Sequence, residues 1–136
     1  MILKPKGRWV RVKPMTADEK AAVAAICERF IVEVLKPRFL SEIRPTQFNY
    51  PVDLFGKWRG SKYSFITRLR SGFSDNTGTE FDDAFTRLDH VEESLAETRF
   101  DVMWYRHTGT VVALAFGGDA ERALHLIETD PLLQPI

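Results

Sequence analysis

The chain has 136 residues, 44% of them hydrophobic and 28% charged, with 19 basic and 19 acidic side chains. That balance excludes a disordered polymer, which combines low hydrophobicity with high net charge, and the length suits one domain, residues 1–136, able to bury its own core. A single cysteine, Cys27, excludes an internal disulfide.

No run approaches the ~20 apolar residues of a membrane helix, and the start, Met1 to Trp9, lacks the apolar stretch of a signal peptide. With no disulfide to form, the expected compartment is the reducing cytoplasm. The zero net charge conceals an asymmetry. Residues 1–72 hold fifteen Lys or Arg against six Asp or Glu, whereas residues 73–136 hold four against thirteen. Such halves either offer a basic surface to an anionic partner or neutralise each other across paired strands, and cross-strand pairing is the commoner arrangement.

The first element is a short strand, Arg8 to Lys13, with Val10 and Val12 on one face. Thr16-Ala17-Asp18-Glu19 then reads as a capping box, in which Thr16 caps the helix and Glu19 reaches back to it. Ala22, Val23, Ile26, Phe30 and Val34 fall at helical spacing, which predicts one amphipathic helix over residues 17–35. Lys36-Pro37 is expected to end it, because proline disfavours helical geometry in the residue before it.

Residues 45–71 predict a β-hairpin. Phe48, Tyr50, Val52 and Leu54 alternate with Asn49, Pro51 and Asp53 on the outgoing strand, and Pro51, lacking an N–H, implies that the strand is at an edge or that its nitrogen faces outward. Residues 56–61 are expected to turn the chain, and Tyr63, Phe65, Thr67 and Leu69 alternate on the return. Residues 72–79 form a turn-rich loop. Between 80 and 91 two readings compete. Phe81, Ala84, Phe85, Leu88 and Val91 fit a helix capped by Thr79, whereas the neighbouring strands favour a strand at about 84–91 that turns through residues 92–97. The strand is preferred.

Phe100, Val102 and Trp104 alternate along a further strand. His107-Thr108-Gly109 connects it to Thr110–Phe116, whose apolar run suits a well-buried strand. Gly117-Gly118 ends that strand, Asp119 caps a short helix burying Ala120, Ala123, Leu124 and Ile127, and Asp130-Pro131 closes the chain. The fold class is therefore α+β: a long N-terminal helix on a curved, mostly antiparallel sheet of four to six strands, with a short C-terminal helix.

His90, His107 and His125 lack metal-ligand spacing, and one cysteine makes no zinc site, so neither a metal nor a cofactor is expected. Cys27, mid-helix beside Ile26, reads as a small buried hydrophobe. No nucleophile elbow or phosphate loop is present. Gly117-Gly118 before a helix could receive an anion, but Asp119 would repel it.

Two groups of residues remain as candidates. Trp104 and Arg106 share the apolar face of their strand, with His107 at its end. An arginine closing an apolar stripe can receive a carboxylate or phosphate, and a histidine there titrates near neutrality. The second group is basic and aromatic: Lys57, Trp58, Arg59 and Lys62 at the hairpin tip, and Arg68 and Arg70 on the return strand. Lys4, Lys6, Arg8, Arg11 and Lys13 add a basic arm. Cations along a phosphate backbone with a ring to stack on a base are what single-stranded nucleic acid requires. A pI of about 6.8 argues for a solvated hairpin instead.

The stretch Phe100 to Gly109, with its Arg106-His107-Thr108-Gly109 turn, and the helix ending at Asp130-Pro131 resemble a family of small uncharacterised bacterial proteins. The resemblance covers the last third of the chain and implies no named activity. The function expected from the sequence is a non-catalytic binding or interaction module, with a protein partner or a second copy of the chain as its target and no membrane. Nucleic-acid binding through the basic first half, or a small anionic ligand held by Arg106 and His107, stands as the alternative.

Overall fold

The computed structural model describes residues 2–3, 10–11, 14–91, 98–106 and 108–135. Strands β1 (Ile2–Leu3) and β2 (Val10–Arg11) pair antiparallel, and β2 is the described part of the expected Arg8–Lys13 strand. Helix α1 (Ala17–Phe30) follows, then a π-helical turn (Ile31–Leu35) and a last helical turn, α2 (Lys36–Phe39). Strands β3 (Asn49–Arg59), β4 (Lys62–Ser71), β5 (Glu80–His90), β6 (Phe100–Tyr105) and β7 (Val111–Gly118) form one antiparallel sheet in sequence order. Helix α3 (Ala120–Thr129) and a 3-10 turn (Pro131–Leu133) end the described chain. The architecture is α+β, with a long N-terminal helical segment, a five-stranded antiparallel sheet and a short C-terminal helix.

The capping box forms as read: the Glu19 amide donates to Thr16 Oγ1 and the Thr16 amide donates to Glu19 Oε1, both at 3.1 Å. Pro37 does not end the helix. Proline lacks an N–H and its ring collides with the carbonyl four residues back in a regular helix. The π turn avoids this, with the Lys36 amide donating to the Ile31 carbonyl five residues back, and the helix gains another turn to Phe39. The buried stripe differs from the expected one. Val23, Cys27, Phe30, Ile31 and Leu35 are buried, whereas Ala22 and Ile26 face outward and Val34 is half-buried.

The hairpin is tighter than expected. Arg59 pairs with Lys62, so Gly60-Ser61 alone makes the turn, with Gly60 at φ 59°. Gly56, Lys57, Trp58 and Arg59 therefore belong to β3. Phe48 lies before the strand, exposed and edge-on to Phe73. Register slips between Pro51 and Asp53, leaving Val52 as a bulge residue. Tyr50 thus pairs with Arg70 on one face, while Leu54 pairs with Thr67 on the other, correcting their expected common face.

The segment 80–91 is strand from Glu80, not helix. β4 pairs it along nearly its whole length, and a bulge at Phe85 between Ala84 and Thr86 mimics helical spacing. Tertiary pairing overrides local periodicity here. The proposed turn through 92–97 lies outside the described residues. β7, like β3, is an edge strand of the sheet rather than a well-buried one: Val112 is exposed and Phe116 is 75% exposed. Two register shifts against β6 break the regularity of this edge, and Asp101 Oδ1 accepts the Gly117 amide within the distortion.

The core lies between one sheet face and the helices. Leu54, Tyr63, Phe65, Leu88, Phe100 and Val102 of the sheet meet Val23, Cys27 and Leu35, and Ala123 and Ile127 of α3. Gly56 is required beneath Tyr63, since a Cβ there would overlap the phenol ring. The ring has no room to move away, being edge-packed between Trp58 and Phe65 at 5.2 and 5.4 Å.

Candidate functional site

Helix α1 covers the core face of the sheet at the hairpin end, through Trp58, Tyr63 and Leu88. The opposite end of that face has no such cover. After Thr129 the chain turns back: Asp130 Oδ1 accepts the Leu132 amide, Pro131 starts the 3-10 turn, and Leu133 is fully buried. Thr86 Oγ1 donates to the Leu133 carbonyl at 2.7 Å, and the side-chain Nε2 of Gln134 donates to the carbonyls of Ile127 and Glu128. Asp130-Pro131 thus does more than close the chain; it folds a short strap over the sheet.

Between this strap and the uncovered sheet lies a cleft of about 470 Å³. Leu69, Asp83, Phe85, Trp104, Arg106 and Leu132 are among its walls. Trp104 sits on the core face of β6, across from Thr86 and Val112. The Arg106 guanidinium lies 5.7 Å over the Trp104 ring, within cation–π range. Among the described residues Arg106 takes no carboxylate partner and Asp83 forms no salt bridge with a cation. Two predicted site residues therefore meet in this cleft, while His107 lies outside the described residues. The Arg106 amide donates to the Thr110 carbonyl and the Gly109 amide to the Arg106 carbonyl, so the connection to β7 is a tight turn with Gly109 at φ 84°.

Sequence reasoning missed Asp83, Phe85 and Leu132. They reach the cleft from β5 and the strap, and only the cap-plus-proline signature at Asp130-Pro131 signals the strap in the sequence.

The basic group divides. Trp58 faces the core side, donating its indole N–H to the Lys20 carbonyl at 3.0 Å, so it offers no ring to a base on the basic face. Arg68 pairs with Asp82 at 3.0 Å and Arg70 with Glu80 at 2.8 Å, and these carboxylates hold both guanidiniums more firmly protonated than usual. The basic and acidic halves of the sequence meet along β4 and β5 and neutralise each other there. Lys57, Arg59 and Lys62 line a second, smaller hollow of about 270 Å³ on the solvent face of the sheet. Of the N-terminal arm, only the backbone of Arg11 is described.

Cys27 is completely buried, and burial pushes its thiol up to about 12, with Glu28 adding to the rise. A thiol so protonated is a poor nucleophile. The Gly117 amide is taken by Asp101, and the Gly117 carbonyl accepts from Arg99 Nη1 at 2.9 Å, so this turn is occupied within the fold. Among the described residues no three His, Cys, Asp or Glu side chains come together as metal ligands, and no helix is long and apolar enough to cross a membrane.

Fold and cleft together define a small α+β domain with a ligand-sized hollow at the open end of an antiparallel sheet. The chain belongs to the family described as domain of unknown function DUF3024, whose model matches residues 14–134. The match extends well beyond the last third that carried the resemblance in the sequence. No curated protein and no solved structure matches the chain.

Proposed function

We propose that this domain is a binding module whose ligand enters the cleft beneath the C-terminal strap and pairs a flat apolar body with one anionic group. The observation that carries this reading is Arg106, held over the Trp104 ring at the wall of the 470 Å³ cleft with no carboxylate partner among the described residues. Phe85, Leu69 and Leu132 supply the apolar walls, and Asp83 offers an acceptor to a donor group on the same ligand. Cleft volumes of this order suit small molecules rather than a folded partner. The buried, disulfide-free Cys27 suits a reducing compartment, which supports a cytoplasmic location.

Titration with benzoate, a ring bearing one carboxylate, tests this reading through the indole N–H resonances of the three tryptophans. Trp104 is expected to shift, and Trp58 to stay still. Arg106→Met is expected to weaken the interaction about tenfold or more, the scale of one charge-assisted hydrogen bond. If benzoate, phenyl phosphate and indole-3-acetate all leave Trp104 unmoved, the cleft is not an anion-recognition site.

A further inference from the structure

The solvent face of the sheet carries a separate concentration of charge. Alternation along β3 puts Lys57 and Arg59 on this face, and antiparallel register sets Ser64 opposite Lys57 and Lys62 opposite Arg59. Arg87 stands across from Ser64 on β5, and Tyr105 closes the hollow from β6.

The cations of this face fall into two classes. Arg68, Arg70 and Arg87 each hold a carboxylate, namely Asp82, Glu80 and Asp89. Lys57, Arg59 and Lys62 hold none among the described residues. Like charges directly opposite on neighbouring strands destabilise a sheet, yet Arg59 faces Lys62. The one acid across from Lys62 is Asp89, and Arg87 already grips both of its oxygens at 2.6 and 2.8 Å. Asp82, the other acid at the hollow, is engaged by Arg68.

An excess of three cations therefore surrounds a concave site of about 270 Å³ furnished with two hydroxyls, those of Ser64 and Tyr105. A carboxylate would leave most of these donors unused. A phosphate group presents several anionic oxygens to several directions at once, matching lysines as point charges and arginine as a fork. We infer that the solvent face of the hairpin end is a phosphate-recognition site for a nucleotide ligand, with Lys57, Arg59 and Lys62 holding the phosphate and Tyr105 the ring available to a base. Trp58, turned to the core, has no part in it.

The phosphate could belong to a single-stranded chain or to a free nucleotide, and the binding experiment separates them. Fluorescence anisotropy of a labelled oligothymidylate is read against the full chain at low and moderate salt, with thymidine monophosphate as competitor. Three phosphate contacts to a single strand give a salt slope of about −2, so affinity is expected to fall about twentyfold between about 50 and about 200 mM salt. Lys62→Gln is expected to lower that slope by about 0.7. Displacement by the mononucleotide at concentrations matching its own binding identifies a monoester site, and its failure to displace identifies a backbone site.

The inference is overturned if neither probe binds at low salt, or if the Arg59→Gln, Lys62→Gln double variant binds as tightly as the parent. Far-ultraviolet circular dichroism of the double variant shows whether it is folded, and both substitutions relieve repulsion rather than remove a contact.

Discussion

The two ends of the sheet's inner face share a pattern of apolar residues but not a cover. At the hairpin end Tyr63, Phe65, Leu88 and Phe100 share one core with α1 and α3, each no more than 1% exposed. At the other end Phe85 and Trp104 are half-buried, Phe81 is exposed, and only a three-residue turn and its flanks reach over them. The same alternating chemistry thus builds a core where a helix lands on it and a cleft where none does. Which end holds a cleft is decided by what the rest of the chain leaves uncovered, not by the strands themselves.

The contrast is tested most strongly by truncating one ring at each end. Phe65→Ala removes a fully buried ring and is expected to cost about 3–5 kcal/mol. Phe85→Ala, at the bulge lining the cleft, removes far less buried area and leaves a space continuous with an existing hollow, so about 1 kcal/mol is expected. Denaturant unfolding of both variants measures the difference. Equal losses would mean that the open end is packed as tightly as the covered one.

The dryness of the covered end gives a second effect, in its pH dependence. Cys27 is protonated up to about 12 in the fold, against its usual value of 9.0. Between these values the unfolded chain has released the thiol proton and the folded chain has kept it. The folded state therefore binds more protons, and stability is full below pH 9 and falls as pH rises towards 12. The expected loss is about 1.4 kcal/mol per pH unit above 9. Tyr63 is raised by burial as well, but its ordinary value of 10.0 lies higher, so the first unit reports the thiol. Unfolding of the parent and Cys27→Ala between pH 8 and pH 10 should show the slope only in the parent. A matching slope in both would place water at Cys27 and contradict the covered end.

Much of this was legible in the residues. The Thr16–Glu19 box, the Tyr63–Phe65–Thr67 face and the Asp119 cap are local devices whose partners lie within a few positions, so spacing alone reveals them. The misread elements each depend on something distant or on an inserted residue. Pro37 looks like a helix end unless the π turn before it is known. The bulges at Val52 and Phe85 each shift alternation by one residue, which moved Tyr50 to the other face and lent the 80–91 segment a helical rhythm. The apolar run of β7 reads as buried, but burial of a strand is set by its place in the sheet, and β7 is last. At the candidate site, Trp104 and Arg106 stood out because they follow one another along one strand face. Asp83 and Leu132 did not, because only the folded strap and β5 bring them to the cleft.

The smallest effect bears on the two ends of the solvent face. Arg68 and Asp82, in direct contact at 3.0 Å, are matched charges on an exposed surface, and such pairs contribute little. Arg59 and Lys62 are mismatched charges in the same kind of setting. Neutralising one member should therefore act in opposite directions: Arg68→Gln lowers the unfolding midpoint slightly, and Lys62→Gln raises it slightly. Both shifts should shrink as salt is added, since each is Coulombic and exposed. A rise in the midpoint of Lys62→Gln would show that Arg59 opposite Lys62 is kept at some cost in stability, as the proposed phosphate site requires. If Lys62→Gln instead lowers the midpoint, Lys62 serves the fold and the two ends of this face do not differ.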